Sequence, residues 1–207
     1  MSLKILYIHG FGGTSNGQTV QGLREILGDE ATILAPQFSN DISTVAQIEQ
    51  NIAEAKNYKN EFCPDVVIGS SFGGFIATFL NGSPRILINP CLRPSERLNS
   101  LSPNMSKEDI ALLKTLETSH DIDGEMRYEM YGLFGLQDEL FSYLNLYKKL
   151  YGESRAYTMP CGHRIDKENI KNHLLPILSE VKRNTESLTE DSFSSFGIFS
   201  TFDVNED

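Results

Sequence analysis

The chain of 207 residues has the length of one domain. Its 18 Lys and Arg against 28 Asp and Glu leave a net charge of −10, which argues against nucleic-acid binding, because phosphate affinity needs clustered cations. No apolar run approaches the ~20 residues of a membrane span, and the run ending at Ile8 is too short for a signal-peptide core, so the expectation is a cytoplasmic protein.

In chain order, Leu3–Ile8 reads as a buried strand. Thr19–Leu27 reads as a helix closed by Gly28, and Thr32–Ala35 as a short strand stopped by Pro36. Ser43–Asn60 is the next helix, with Ser43 able to cap it and Val45, Ile48, Ile52 and Ala55 at helical spacing. Asp65–Ile68 is a strand, Phe72–Leu80 a buried helix and Arg85–Ile88 another strand. Tyr131–Phe134 and Ser154–Met159 complete the strands, and Asp166–Arg183 is the closing helix, carrying Pro176. Strand–helix alternation implies βαβ units, hence an α/β fold with a mostly parallel sheet covered on both faces. The alternation stops between Pro90 and Glu129. That small insertion, helical near Ser106–Glu117, either caps the carboxyl ends of the strands or lies on the sheet's flank.

The domain is expected to span 1–183. Residues 184–207 then form an acidic, Ser-rich tail, either disordered or docked through Phe193, Phe196, Phe199 and Phe202. The tail holds six acids and no base. Cys63, Cys91 and Cys161 are odd in number and lack C-x-x-C spacing, so reduced, mostly buried thiols are expected rather than zinc ligands or disulfides.

Chemistry enters at Gly69-Ser70-Ser71-Phe72-Gly73-Gly74, a G-x-S-x-G with Ser71 at its centre. An apolar strand leads in and a helical run leads out, the context a nucleophile elbow requires. Glycines admit the tight turn, and the helix after Ser71 presents free N–H groups to developing negative charge. The bland reading is a Gly/Ser turn before a helix. A phosphate loop fits less well, since no Lys follows the glycines. His9-Gly10-Phe11-Gly12-Gly13 follows the first strand. Its Phe11 N–H, with Phe72 N–H, is the expected oxyanion pair. His9 is read as a structural imidazole within the turn.

A serine nucleophile needs a base. Of His9, His120, His163 and His173, only His163 lies in a loop between the last strand and the last helix. His173 reads as a flank residue of that helix and His120 as an exposed residue of the insertion. The orienting acid is expected after the preceding strand, in Gly135-Leu136-Gln137-Asp138-Glu139. Asp138 is preferred and Glu139 is the alternative. The structural reading of both is helix capping beyond 140. The order Ser71…Asp138…His163 is that of α/β-hydrolases.

With these pieces in place, the chain resembles the compact α/β-hydrolases, and among them the YqiA-like small serine esterases. The resemblance rests on Leu6–Phe11, Ile68–Gly74, Asn89-Pro90-Cys91-Leu92-Arg93-Pro94, Gln137–Glu139 and Gly162-His163, with the Asn-Pro-x-x-Arg-Pro stretch the most specific. It implies an esterase or thioesterase that works without metal or cofactor through Ser71, Asp138 and His163, and a first strand equivalent to the third strand of larger relatives. The turn Gly-Gly-Thr-Ser after Phe11 and the Phe-rich tail depart from the pattern. Arg93 would bind an anionic substrate group or, equally, lock the insertion by a salt bridge. The competing class is a hydrolase-like binding or scaffold protein that docks partners through its acidic tail. No partner beyond a small acyl substrate is implied otherwise.

Overall fold

The structure is a computed structural model that describes residues 2–97, 104–119 and 130–196, the last eleven of these by their backbone alone. The strands are β1 (Leu3–Ile8), β2 (Ala31–Leu34), β3 (Val66–Ser70), β4 (Arg85–Ile88), β5 (Met130–Gly135) and β6 (Ala156–Met159). They form one sheet in the order β2-β1-β3-β4-β5-β6, with every neighbouring pair parallel. The helices are α1 (Gln18–Leu27), α2 (Val45–Phe62), α3 (Phe72–Ala77), α4 (Lys107–Ser119), α5 (Leu144–Tyr151), α6 (Lys167–Asn169) and α7 (Leu175–Phe196).

The sheet is buried on both faces, which is why its strands read as continuous apolar runs rather than alternating ones. Leu6, Ile8 and Val67 point to the face covered by α2, α3 and α5. Ile5, Tyr7, Val66 and Ile68 point to the opposite face, against Val20 and Leu23 of α1 and Leu178 and Val181 of α7. Each such side chain contributes about 1.5–3 kcal/mol by leaving water. The strand order reverses between β1 and β3, and Ile8 pairs with Gly69, so the two strands end side by side. Such a switch point is where α/β folds place their ligands.

The expected strands and most helices are present within a few residues of their predicted limits. The cap of α2 is Thr44, not Ser43. Thr44 accepts the Gln47 N–H, and Gln47 returns its amide oxygen to the Thr44 N–H at 3.0 Å, which completes a capping box. The closing helix is entered through a π-helical turn at Ile170–Leu174, ahead of Pro176. It then continues past residue 183 to Phe196, so no helix end marks the expected domain limit there. Asn184 ties this extension to the body by donating to Tyr131 Oη at 3.0 Å. Phe193 and Phe196 fall on the helix, whereas Phe199 and Phe202 lie outside the described residues.

Within the insertion, α4 stands against α2. Asp109 accepts the Val45 N–H at 3.0 Å, supplying an acceptor to the first turn of α2. Buried Glu117 accepts from the Ser95 N–H and, at 2.8 Å, from the Ser95 hydroxyl. Burial pushes the Glu117 carboxyl upward from its ordinary range, with these bonds opposing the shift. His120 lies outside the described residues.

Candidate active site

Ser71 occupies the one-residue corner between β3 and α3, with φ +54° and ψ −120°. A non-glycine residue pays for positive φ, and the surroundings hold it there. Ser71 N–H donates to Ile88 O at 2.9 Å, and Ser71 O accepts from Gly74 N–H and Cys91 N–H at 2.9 and 3.0 Å. Glycines make the corner sterically feasible. A Cβ on Gly73 would stand 2.2 Å from Ile8 O, and one on Gly10 would stand 2.9 Å from Ser71 Cβ. Gly10 therefore lies directly beside the Ser71 side chain.

Residues Gly10–Gly13 form a tight turn closed by Gly13 N–H to Gly10 O at 3.0 Å, with Gly12 at φ +69°. The segment after β2 braces it. Asn40 accepts the Gly12 N–H at 2.8 Å, and Gln37 accepts the Ser15 N–H at 2.9 Å. His9 belongs to this brace. Its Nε2 accepts the Phe38 N–H at 3.1 Å, so Nδ1 carries the proton and donates to Gly10 O at 2.8 Å. The Gly-Gly-Thr-Ser turn is thus held by partners outside it. Among the described residues, neither Phe11 nor Phe72 gives its backbone N–H to another protein group. Phe72 N–H is one of the free donors at the start of α3.

His163 follows β6. Its Nδ1 lies 2.8 Å from Asp138 Oδ2, with the His and Asp side chains only 10% and 3% exposed. Asp138 Oδ1 accepts the Leu140 and Phe141 N–H groups at 2.9 and 3.1 Å, which fixes the carboxylate. It caps this turn and not the next helix, since α5 begins only at Leu144. Glu139 takes a different part. Its carboxylate accepts the His163 backbone N–H at 3.0 Å, and this bond holds its pKa below the ordinary range. The ring is further confined by Phe141, edge-on at 4.9 Å between centroids.

The family follows from residues 4–130, more than half the chain, which match the uncharacterised protein family UPF0227. The chain belongs to this family. No curated protein matches it. Among solved structures, this UPF0227 chain is similar to Est1E from Butyrivibrio proteoclasticus at a TM-score of 0.61 and 17% identity, covering 90% of this chain and 88% of that one. It is similar to the S-formylglutathione hydrolase FrmB of Staphylococcus aureus at a TM-score of 0.56 and 13% identity, over 87% and 81% of the two chains. The thioesterase domain from the curacin biosynthetic pathway aligns at a TM-score of 0.52 and 14% identity, over 87% and 91%. Together with the all-parallel sheet, these likenesses define an α/β-hydrolase fold.

The remaining expected residues of the UPF0227 chain divide by role. Arg93 Nη1 donates to Glu117 O of α4 at 3.0 Å, which fastens the insertion to the segment after β4. His173 lies in the π-helical turn, half-buried beside Ala156–Thr158 of β6. Cys91 and Cys161 are buried, and desolvation raises both thiols. They are held protonated, the opposite of what a thiolate nucleophile needs. Phe141 was missed because its ring contact depends on the fold of the loop after Asp138.

Across the site, Ser71 Oγ and His163 share no hydrogen bond among the described residues. Such bonds are often formed only once substrate is bound. An imidazole held at Nδ1 by a buried carboxylate keeps Nε2 as a proton acceptor. Among the described residues no cluster of His, Cys, Asp or Glu could hold a metal ion, and no helix is long and apolar enough to cross a membrane.

Proposed function

We propose that this chain hydrolyses carboxylic esters or acyl thioesters through an acyl-enzyme formed on Ser71. The observation that carries the reading is Ser71 at φ +54° on the strand–helix corner, with the His163–Asp138 pair on strand ends of the same sheet. Ser71 Oγ attacks the acyl carbon while His163 Nε2 takes its proton. Asp138 holds the Nδ1–H tautomer and stabilises the imidazolium. Phe11 and Phe72 N–H groups bind the oxyanion, and His163 returns the proton to the departing alcohol or thiol. Water, deprotonated by His163, then releases the acid and restores Ser71. Protein groups carry every step. The fold's likeness to an esterase, a formylglutathione hydrolase and a thioesterase domain supports this class of substrate. A cytoplasmic setting accords with three unpaired cysteines.

The test is hydrolysis of a chain-length series of nitrophenyl esters and acyl thioesters by wild type and Ser71→Ala. The expected result is activity in wild type that falls by about 10⁴-fold or more in the variant. Equal activity in both proteins would move the nucleophile elsewhere. Inactivity of folded wild type towards every substrate would favour the binding-protein reading.

A further inference from the structure

Asn89 lies directly after β4 and is 2% exposed. Its backbone is at φ +43° ahead of Pro90, a left-handed conformation that Asn adopts more readily than other side chains but that still costs more than it would for glycine. A buried, strained, polar residue needs a reason, and its side chain supplies one. Asn89 Oδ1 accepts the Gly135 N–H at 2.6 Å, at the end of β5 and three residues before Asp138. Its Nδ2 donates to Gly162 O at 3.1 Å and to His163 O at 2.8 Å. The amide thus spends its acceptor on the acid loop and both its protons on the histidine loop.

The same corner grips the serine. Ile88 O accepts the Ser71 N–H, and Cys91 N–H donates to Ser71 O. Pro90 fills the space beside Gly74, where a Cβ would come within 2.8 Å of Pro90 Cβ. Residues 88–91 therefore bond to the backbone of Ser71 on one side, and to the loops of Asp138 and His163 on the other. Asn89 is the sole member of this corner whose side chain reaches both loops.

Resting on the proposed roles of Ser71, Asp138 and His163, we propose that Asn89 is a positioning residue that sets the register of His163 against both Asp138 and Ser71. It touches no substrate. Its bonds hold His163 O and Gly162 O on one loop and Gly135 N–H on the other, and so tie the two loops whose side chains meet at His163 Nδ1 and Asp138 Oδ2. The strain at φ +43° is held by those bonds and by the packing of Pro90.

Two substitutions separate positioning from bulk stability. Asn89→Gly relieves the strain and deletes all three bonds. Asn89→Asp keeps the acceptor for Gly135 N–H but sets a carboxylate oxygen against two carbonyls. The first readout is the tautomer of the His163 imidazole in long-range ¹H–¹⁵N NMR spectra, assigned with His163→Ala. Wild type is expected in the Nδ1–H form, and both variants are expected to show mixed tautomers while melting cooperatively. The second readout is ester hydrolysis, in which kcat is expected to fall by about 10²-fold with KM unchanged. If Asn89→Gly does not fold, Asn89→Asp carries the comparison. An unaltered His163 tautomer in the folded variants would overturn the proposal, even with lowered thermal stability. Absence of hydrolysis in wild type would remove the hydrolase reading, yet the tautomer would still decide whether Asn89 positions His163.

Discussion

The serine side and the histidine side of the candidate site are built by opposite means. Ser71 is placed by backbone crowding: Gly10, Gly69, Gly73 and Gly74 let β1, β3, α3 and Pro90 approach so closely that the corner has little other geometry available. His163 is placed by side chains from distant segments: Asn89 after β4, Asp138 and Glu139 after β5, and the Phe141 ring. A corner made by excluded volume fails abruptly, because an added methyl has nowhere to go. A loop made by hydrogen bonds fails by degrees, because each bond is one of several. Substitutions on the two sides should therefore differ in kind as well as in size.

The largest effect is expected on the serine side. In Gly73→Ala the new Cβ would meet Ile8 O at 2.2 Å and His9 O at 2.5 Å, both backbone atoms that cannot rotate away. The loss should exceed about 4 kcal/mol, a large part of a domain's ordinary stability. Chemical denaturation is expected to show little or no folded protein at room temperature. A folded Gly73→Ala with near-wild-type stability would show that the corner yields, and the contrast between the two sides would collapse.

On the histidine side the fold should survive while turnover suffers. Asp138→Asn preserves the shape of the side chain and can still accept from Leu140 and Phe141 N–H groups. Its amide can, however, donate to Nδ1, which favours the wrong tautomer. The expected fall in kcat is about 10⁴-fold with an unchanged melting temperature. A mere two-fold loss, read beside an inactive Glu139→Gln, would transfer the orienting role to Glu139.

This contrast also explains what could be read from the sequence. The serine side is local: strand, G-x-S-x-G and helix are contiguous over about fifteen residues, and the physics acts within that window. The alternation of strands and helices was legible for the same reason, since burial on both faces leaves uninterrupted apolar runs. The part played by Asn89 was not, although its motif stood out, because its partners lie 46, 73 and 74 residues away. The choice between Asp138 and Glu139 was equally closed to pattern. Neighbouring acids on one loop diverge in role, one to the ring and one to the backbone of the same histidine, only once the loop is folded. The sequence reading places the cap of α2 at Ser43, a residue of the right chemistry one position too early. Thr44 prevails because it stands three residues before Gln47, the spacing a capping box needs.

The smallest effect, and the finest probe of the histidine side, belongs to Glu139. Its carboxylate is solvent-exposed, so its bond to the His163 N–H is worth little stability. The bond nevertheless depresses the folded pKa below the unfolded value near 4.3. A depressed acid contributes stability above its unfolded pKa and loses it as pH falls through the folded value. In wild type the His163 amide proton resonance should therefore shift as Glu139 takes up a proton, at a pH below the ordinary carboxylate range. In Glu139→Gln, whose amide oxygen still accepts the same N–H but does not titrate, that shift should be absent. Near neutral pH this variant is expected to lose less than about three-fold in kcat, because the bond to His163 N–H persists. Glu139→Ala, which removes it, is expected to lose about ten-fold, with Asn89 and Asp138 still holding the loop. An identical acid shift in wild type and Glu139→Gln would show that the Glu139 carboxylate is not what the His163 N–H reports, leaving His163 gripped by the ring carboxylate and Asn89 alone.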